Sequence, residues 1–189
     1  MAWQETHKEQ SKDRILKSAA MLFTHHGFEK ISIDQVMKNA ELTRGAFYSH
    51  FRSKSDLYAQ AISKGAKVAS KRKPENCLQD MKAFAKYYLS TEHRDNNYEQ
   101  ACPLAFLVSD INQQDNQVKE TYTKTLKAFM QQAQSLSNNR EKTLQSVVLM
   151  IGGLAVSRAL DDEEFSNELL AACKAGVTSL SKEEGTDVS

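Results

Sequence analysis

Proline and glycine are scarce: two and seven in 189 residues. A sheet protein turns every few residues and draws on both types to do so, so the scarcity argues against strands. No stretch alternates Val, Ile, Thr and aromatics with polar residues, as a half-buried strand requires. Cysteine is scarce as well. Cys77, Cys102 and Cys173 are an odd number at unrelated spacings, which fits neither a disulfide framework nor a zinc site. The longest apolar run, Val147 to Val156, is too short for the roughly 20 residues that span a bilayer, so no membrane partner is expected. Metal-type clusters are missing. His25 and His26 are adjacent and face different sides of a helix, and His7, His50 and His93 share no ligand spacing. There is no Gly-rich phosphate loop, so no metal and no cofactor are expected. An all-helical enzyme stays a remote alternative, needing side chains that only the fold brings together. The polar, charged start from Met1 to Asp13 does not read as a signal peptide, and a cytoplasmic location is expected.

What is abundant points one way. Ala, Leu, Lys, Gln and Glu are good helix formers, and they dominate. The expected fold class is all-α: an N-terminal three-helix domain with a helix-turn-helix, then a larger helical domain, about nine helices in all. Charge is unevenly spread. Met1 to Lys73 holds 14 Lys/Arg against 7 Asp/Glu, whereas Pro74 to Ser189 holds 11 against 17. A basic first part suits a polyanion such as DNA, because binding releases condensed counterions.

The first helix carries Ile15, Leu16, Ala19, Ala20, Leu22 and Phe23 on one face, and Gly27 follows where a left-handed cap needs no Cβ. Ser32 opens a second, short helix, with Gln35 at capping-box spacing. Glu41 and Leu42 form a turn, and Thr43 caps a third helix running to about Phe51. Ser53 caps a fourth, with Asp56 again at box spacing. The sequence divides into a helix-turn-helix domain over 1–55, a connecting helix over 56–74, a second domain over 75–181 and a polar tail over 182–189. Within the second domain, Thr91 to Gln100 reads as a loop, Pro103 as the first residue of a helix burying Leu104, Leu107, Val108 and Ile111, and two long helices close the chain.

Two short helices joined by a three-residue turn present the second to the major groove. Thr43 and the start of the third helix offer free N–H groups to a phosphate. Arg44 has the reach for a guanine edge. Gly45 lets the backbone approach a base, and Ala46 is small enough to touch a thymine methyl. Tyr48, His50 and Lys54 offer donors to phosphate oxygens. Phe47 and Phe51 are expected in the small core.

At these residues a resemblance appears. Ile31 to Leu57, ISIDQVMKNAELTRGAFYSHFRSKSDL, is similar to the DNA-binding signature of the tetracycline-repressor family: a capped short helix, a turn ending in Ser/Thr, a basic residue, Gly, aromatic-Tyr, then His-Phe-x-x-Lys. The resemblance is strong over roughly residues 11 to 62 and weakens beyond. Glu41 departs from it, standing where that family often has Gly, so a left-handed turn is expected there. The resemblance implies a homodimer on double-stranded palindromic operator DNA, usually repressing, released by a small-molecule inducer. It implies phosphate contacts by Ser32, Thr43, Tyr48, His50 and Lys54, and base contacts by Arg44, Gly45 and Ala46.

Other assignments concern the second domain. The family commonly dimerises through its last two helices. The small and apolar residues Val148, Ile151, Gly152 and Ala155 on one, and Leu169, Cys173 and Val177 on the other, are the candidate interface. A ligand pocket lined by Phe84, Tyr87, Tyr88, Phe106, Tyr122, Phe129 and Met130 is expected, although each fits ordinary core as well. Cys102, before Pro103 at a helix start, is a candidate pocket residue and carries an alternative: a thiol-based sensor of oxidants or electrophiles in the same fold. A small buried residue is the other reading of Cys102.

Overall fold

In the computed structural model, which describes residues 2–95 and 102–182, every regular element is helical. The first four helices are α1 (Ala2–Lys30), α2 (Ile33–Asn39), α3 (Arg44–Tyr48) and α4 (Lys54–Lys71). A 3₁₀ turn (Glu75–Leu78) leads to α5 (Met81–Tyr88) and α6 (Thr91–Asp95). Then come α7 (Pro103–Phe106), α8 (Val108–Ile111), α9 (Asn116–Gln134), α10 (Arg140–Ala159) and α11 (Glu163–Lys182). Part of the expected loop after Thr91 is therefore helical. Its remainder from residue 96, and the tail beyond 182, lie outside the described residues. The helix expected from Pro103 breaks at Leu107 (φ −107°, ψ 2°), and Val108, expected inside, is 45% exposed.

The chain divides into two compact units, residues 1–70 with 98–125, and 71–97 with 126–189. A single boundary at Pro74 does not describe this. The reason is hydrophobic: Leu107, Ile111 and Val118 join Ile15, Ala19, Phe23, Val36, Phe47, Leu57 and Tyr58 in one buried cluster. The short opening helices need that cover, since few residues alone bury too little apolar area.

In the first unit, Ser32 and Gln35 close a complete capping box. After α2 the chain turns at Glu41 (φ 52°), as expected. Leu42 N–H donates to Met37 C=O (3.0 Å) and Glu41 N–H to Lys38 C=O (3.1 Å), the bond pair that ends a helix on a left-handed residue. Gly27 departs from expectation. Its φ of 79° is positive, but its ψ of 170° is extended rather than left-handed helical, a conformation open almost only to glycine. The kink turns Phe28 onto Phe23 (6.1 Å between rings) and Tyr58 (5.1 Å). Asp110 of α8 secures it: Phe28 N–H donates to both carboxylate oxygens (3.2 and 3.4 Å), and the buried Tyr58 hydroxyl donates to the same group.

In the second unit α10 and α11 form a helical hairpin. Phe84, Tyr88 and Phe129 pack ring against ring at 5.3–6.3 Å, with the Lys73 ammonium over Phe84 and Phe129. His93 is buried against Tyr87 and Tyr88, and its Nδ1–H donates to Tyr88 C=O (2.8 Å). Arg94 ties α6 to α11 through Ser166 (2.7 Å) and Asn167 (2.9 Å).

Candidate nucleic-acid interface

Phe47 and Phe51 lie in the core as expected, their rings 5.7 Å apart, and they anchor α3 by its inner side. The helix is shorter than expected and ends at Tyr48. Its outer side carries the expected contact residues. Thr43 sits at the N-cap in extended conformation (φ −77°, ψ 154°), but its side chain makes no capping bond. The hydroxyl beside the first free N–H groups is thus not spent on capping, which suits a phosphate oxygen there. Ser32 is the reverse. Its hydroxyl accepts from Gln35 N–H (3.2 Å) and donates to Gln35 Oε1 (2.9 Å), so in this structure it serves the cap.

Arg44 reaches across to α2, where Nη1 donates to Asp34 Oδ2 (3.0 Å). A hydrogen bond with Tyr48 and the nearby Asp34 carboxylate hold its affinity for the proton above the ordinary value. Asp34 thus parks the guanidinium on the exposed side, a role the sequence pattern did not single out. Gly45 has an open outer side: a Cβ there would meet only Thr43 Oγ1, at 3.9 Å. Among the described residues nothing stands close enough to exclude a Cβ there. Ala46 is half-buried against the core. Tyr48 is 63% exposed, an unusual placement for a tyrosine without an external partner.

His50 and Lys54 have internal partners. His50 Nε2 lies 2.7 Å from Ser11 Oγ of α1, and Ser11 Oγ donates its hydrogen to Lys8 C=O (2.9 Å). The hydroxyl therefore accepts from His50 Nε2–H. Burial, then Lys8 and Lys12, push the His50 proton affinity down. The Lys54 ammonium stands 4.1 Å from the centre of the Phe28 ring, a cation–π contact. At α4 the Ser53 hydroxyl accepts from Asp56 N–H (3.0 Å) as expected. The Asp56 carboxylate takes Arg52 N–H (3.0 Å), not that of Ser53, so this box is incomplete.

The residues of the expected dimer face differ in exposure. On α10, Val148 is 68% exposed, and Leu144 and Val156 are 43% and 49% exposed. Ile151 and Ala155 are half-buried, and a Cβ on Gly152 would meet nothing. These positions form one stripe at helical spacing. Leu169 is half-buried on α11, and Phe165 is half-exposed. Val177, by contrast, is wholly buried, and Cys173 turns its sulfur toward Gly153, where a Cβ would lie 2.7 Å away. Val177 thus has no surface exposed on the protomer, whereas Cys173 remains half-buried.

The expected pocket residues are divided between the two units: Cys102, Phe106 and Tyr122 in the first, Phe84, Tyr87, Tyr88, Phe129 and Met130 in the second. Phe84 and Tyr88 fill space instead of enclosing it. Tyr122 donates to Leu104 C=O (2.6 Å), and burial pushes its hydroxyl up to about 12. Cys102 is 6% exposed and heads a four-residue helix without a side-chain capping bond. Among the described residues no group of three or more metal-type ligands assembles, and no helix is long and apolar enough to cross a membrane.

Residues 15–61 match the family described as bacterial regulatory proteins, tetR family. The chain is similar to the Transposon Tn10 TetC protein of Escherichia coli, with 31% identity over 80 residues, 40% of this chain and 41% of that protein. It is also similar to the HTH-type transcriptional regulator AcrR of Shigella flexneri, with 38% identity over 52 residues, 28% of this chain and 24% of that one. The matches thus span less than half the length of these relatives. In three dimensions the fold is that of a TetR-family transcriptional regulator from Cytophaga hutchinsonii, with a TM-score of 0.73, 14% identity, and 92% and 96% of the two chains covered.

Proposed function

We propose that the chain, whose residues 15–61 match the tetR family of bacterial regulatory proteins, is a sequence-specific transcriptional regulator of that kind, acting in the repressing sense, with α3 as its reading helix. One observation carries the reading. On the outer side of α3, an unspent hydroxyl (Thr43), a guanidinium (Arg44), an uncovered backbone (Gly45) and an exposed phenol (Tyr48) stand together, while Phe47 and Phe51 hold the inner side. Arg44 supplies base choice, exchanging Asp34 for a guanine edge. Thr43, Tyr48 and Lys54 supply phosphate contacts that fix register, and His50 joins them when it takes up a proton or releases Ser11.

Two copies act together in this reading, joined across the open α10 stripe around Val148 and Gly152. A four-helix arrangement about a two-fold axis covers that apolar face. Palindromic double-stranded DNA matches such symmetry. Release by a small-molecule inducer completes the scheme, with a cytoplasmic location. Sensing through Cys102 gains no support from its burial, since reactive thiols sit in partly exposed, electropositive surroundings.

The test is selection of bound duplexes from random DNA. Enrichment of a two-fold symmetric sequence is the expected result. Recovery of no common sequence, with the protein indifferent to duplexes at low ionic strength, refutes the reading.

A further inference from the structure

We propose that the DNA-contacting face continues onto the first turns of α1, where Lys8 and Lys12 flank His50 and hold one further backbone phosphate in each half-site. The inference rests on the reading of α3 as the DNA-contacting helix and adds a second element to that interface.

The register of α1 makes the juxtaposition. Lys8, Ser11, Lys12 and Ile15 recur at three- and four-residue spacing, so they share one face. Ile15 is wholly buried in the core that also holds Phe47 and Phe51, which fixes the face against the helix-turn-helix. Ser11 then bonds directly to His50, two residues beyond Tyr48. The Lys12 ammonium lies 5.8 Å from the Phe51 ring centre, and both Lys8 and Lys12 act electrostatically on His50. Among the groups acting on His50 no carboxylate appears: its proton affinity is set by burial and by two cations. Asp13, next to Lys12 on α1, is engaged by Lys17 (2.9 Å) and Lys64.

Such a cluster is electrostatically incomplete. Two ammonium groups and an imidazole stand together beside α3, and among the described residues no carboxylate forms an ion pair with either lysine. A phosphodiester is the anion that the neighbouring Thr43 and Tyr48 already select by position. The hydrogen-bond inventory sharpens the point. Neutral His50 gives its one N–H to Ser11, which leaves only a lone pair on Nδ1. His50 in that state cannot donate to a phosphate, so the lysines carry the contact. His50 joins it when it takes up a proton or releases Ser11.

The experiment compares the full-length protein with Lys8→Gln/Lys12→Gln, using a duplex obtained by the selection described above. Two readouts are taken: the dependence of affinity on salt, and interference by ethylation of single phosphates. One phosphate per half-site and two half-sites predict that the slope of log K against log salt flattens by about 1.8. One ethylation-sensitive phosphate per half-site disappears, while those assigned to Thr43 and Tyr48 remain. Lys8→Arg/Lys12→Arg restores both, which separates charge from any disturbance of the Phe51 contact. An unchanged slope and an unchanged interference pattern overturn the inference and leave the regulator reading standing. Failure of the unmodified protein to bind any duplex overturns both.

Discussion

Replacing Asp110 with alanine is expected to be among the most damaging single changes in the first unit, although the residue lies 49 positions beyond the helix-turn-helix match. Its carboxylate accepts from Phe28 N–H and from Tyr58 O–H, and Tyr58 has no exposed surface. Hydrogen bonds to a charged acceptor contribute about 1.5–3 kcal/mol each, and a buried donor left unpaired costs about 1–3 kcal/mol. Both donors lose this acceptor at once, one of them at the Gly27 kink. We therefore expect a loss of about 4 kcal/mol, discounted from the sum because water can enter beside the half-buried Asp110. Tyr58→Phe removes one donor and leaves the Phe28 bond intact, so about 1–2 kcal/mol is expected. The double variant should lose less than the two single losses together, since both act on one bond. Urea denaturation at fixed protomer concentration measures all three, because association would otherwise shift the midpoints. Ser109→Ala, one residue away and exposed, is the control, expected within about 0.5 kcal/mol of the unmodified protein. An Asp110→Ala protein as stable as that control refutes the clamp.

Other outcomes follow from the same geometry. Arg44→Ala should relax base choice at one position per half-site by about 1–3 kcal/mol, read by competition among single-base operator variants; uniform weakening at all positions would assign Arg44 to phosphate instead. Gly153→Ala places a methyl 2.7 Å from Cys173 Sγ and 3.1 Å from Leu89, so α10 and α11 must part, at a cost of about 1–3 kcal/mol in thermal or urea unfolding. Val148→Asp puts a charge on the open α10 stripe and should shift sedimentation toward the monomer while leaving helix content unchanged. Burial holds the His93 proton affinity below its unfolded value near 6.5. The unfolded chain then binds more protons just below that pH, so stability falls on acidification through the window and is flat above it. His50 shifts in the same direction, so the contribution of His93 is the difference between the unmodified protein and His93→Gln in urea midpoints from about pH 7.5 to about pH 5.

Features that depend on near neighbours in the chain were legible in the residues. The Ser32–Gln35 box, the left-handed Glu41 and the inward Phe47 and Phe51 each follow from spacings of three to five residues, and the structure has them as read. Where reading went astray, a distant partner decided. Val177 sits on an apolar face of α11 but is wholly buried within the protomer, so composition could not tell a partner protomer from a neighbouring helix. Asp56 satisfies the box spacing yet bonds one residue earlier. Lys54 was read as a phosphate donor, and the Phe28 ring that lies beneath its ammonium could not be foreseen.

The family signature, the all-helical class and the outward residues of α3 were written in the sequence, because helix periodicity and capping act over a single turn. The assignment of α7, α8 and the start of α9 to the first unit, the Asp110 clamp, and the meeting of Ser11 with His50 were decided by tertiary structure alone. Those contacts join residues 39 to 82 positions apart. At such separations no periodicity links the partners, and only burial of a common core brings them together.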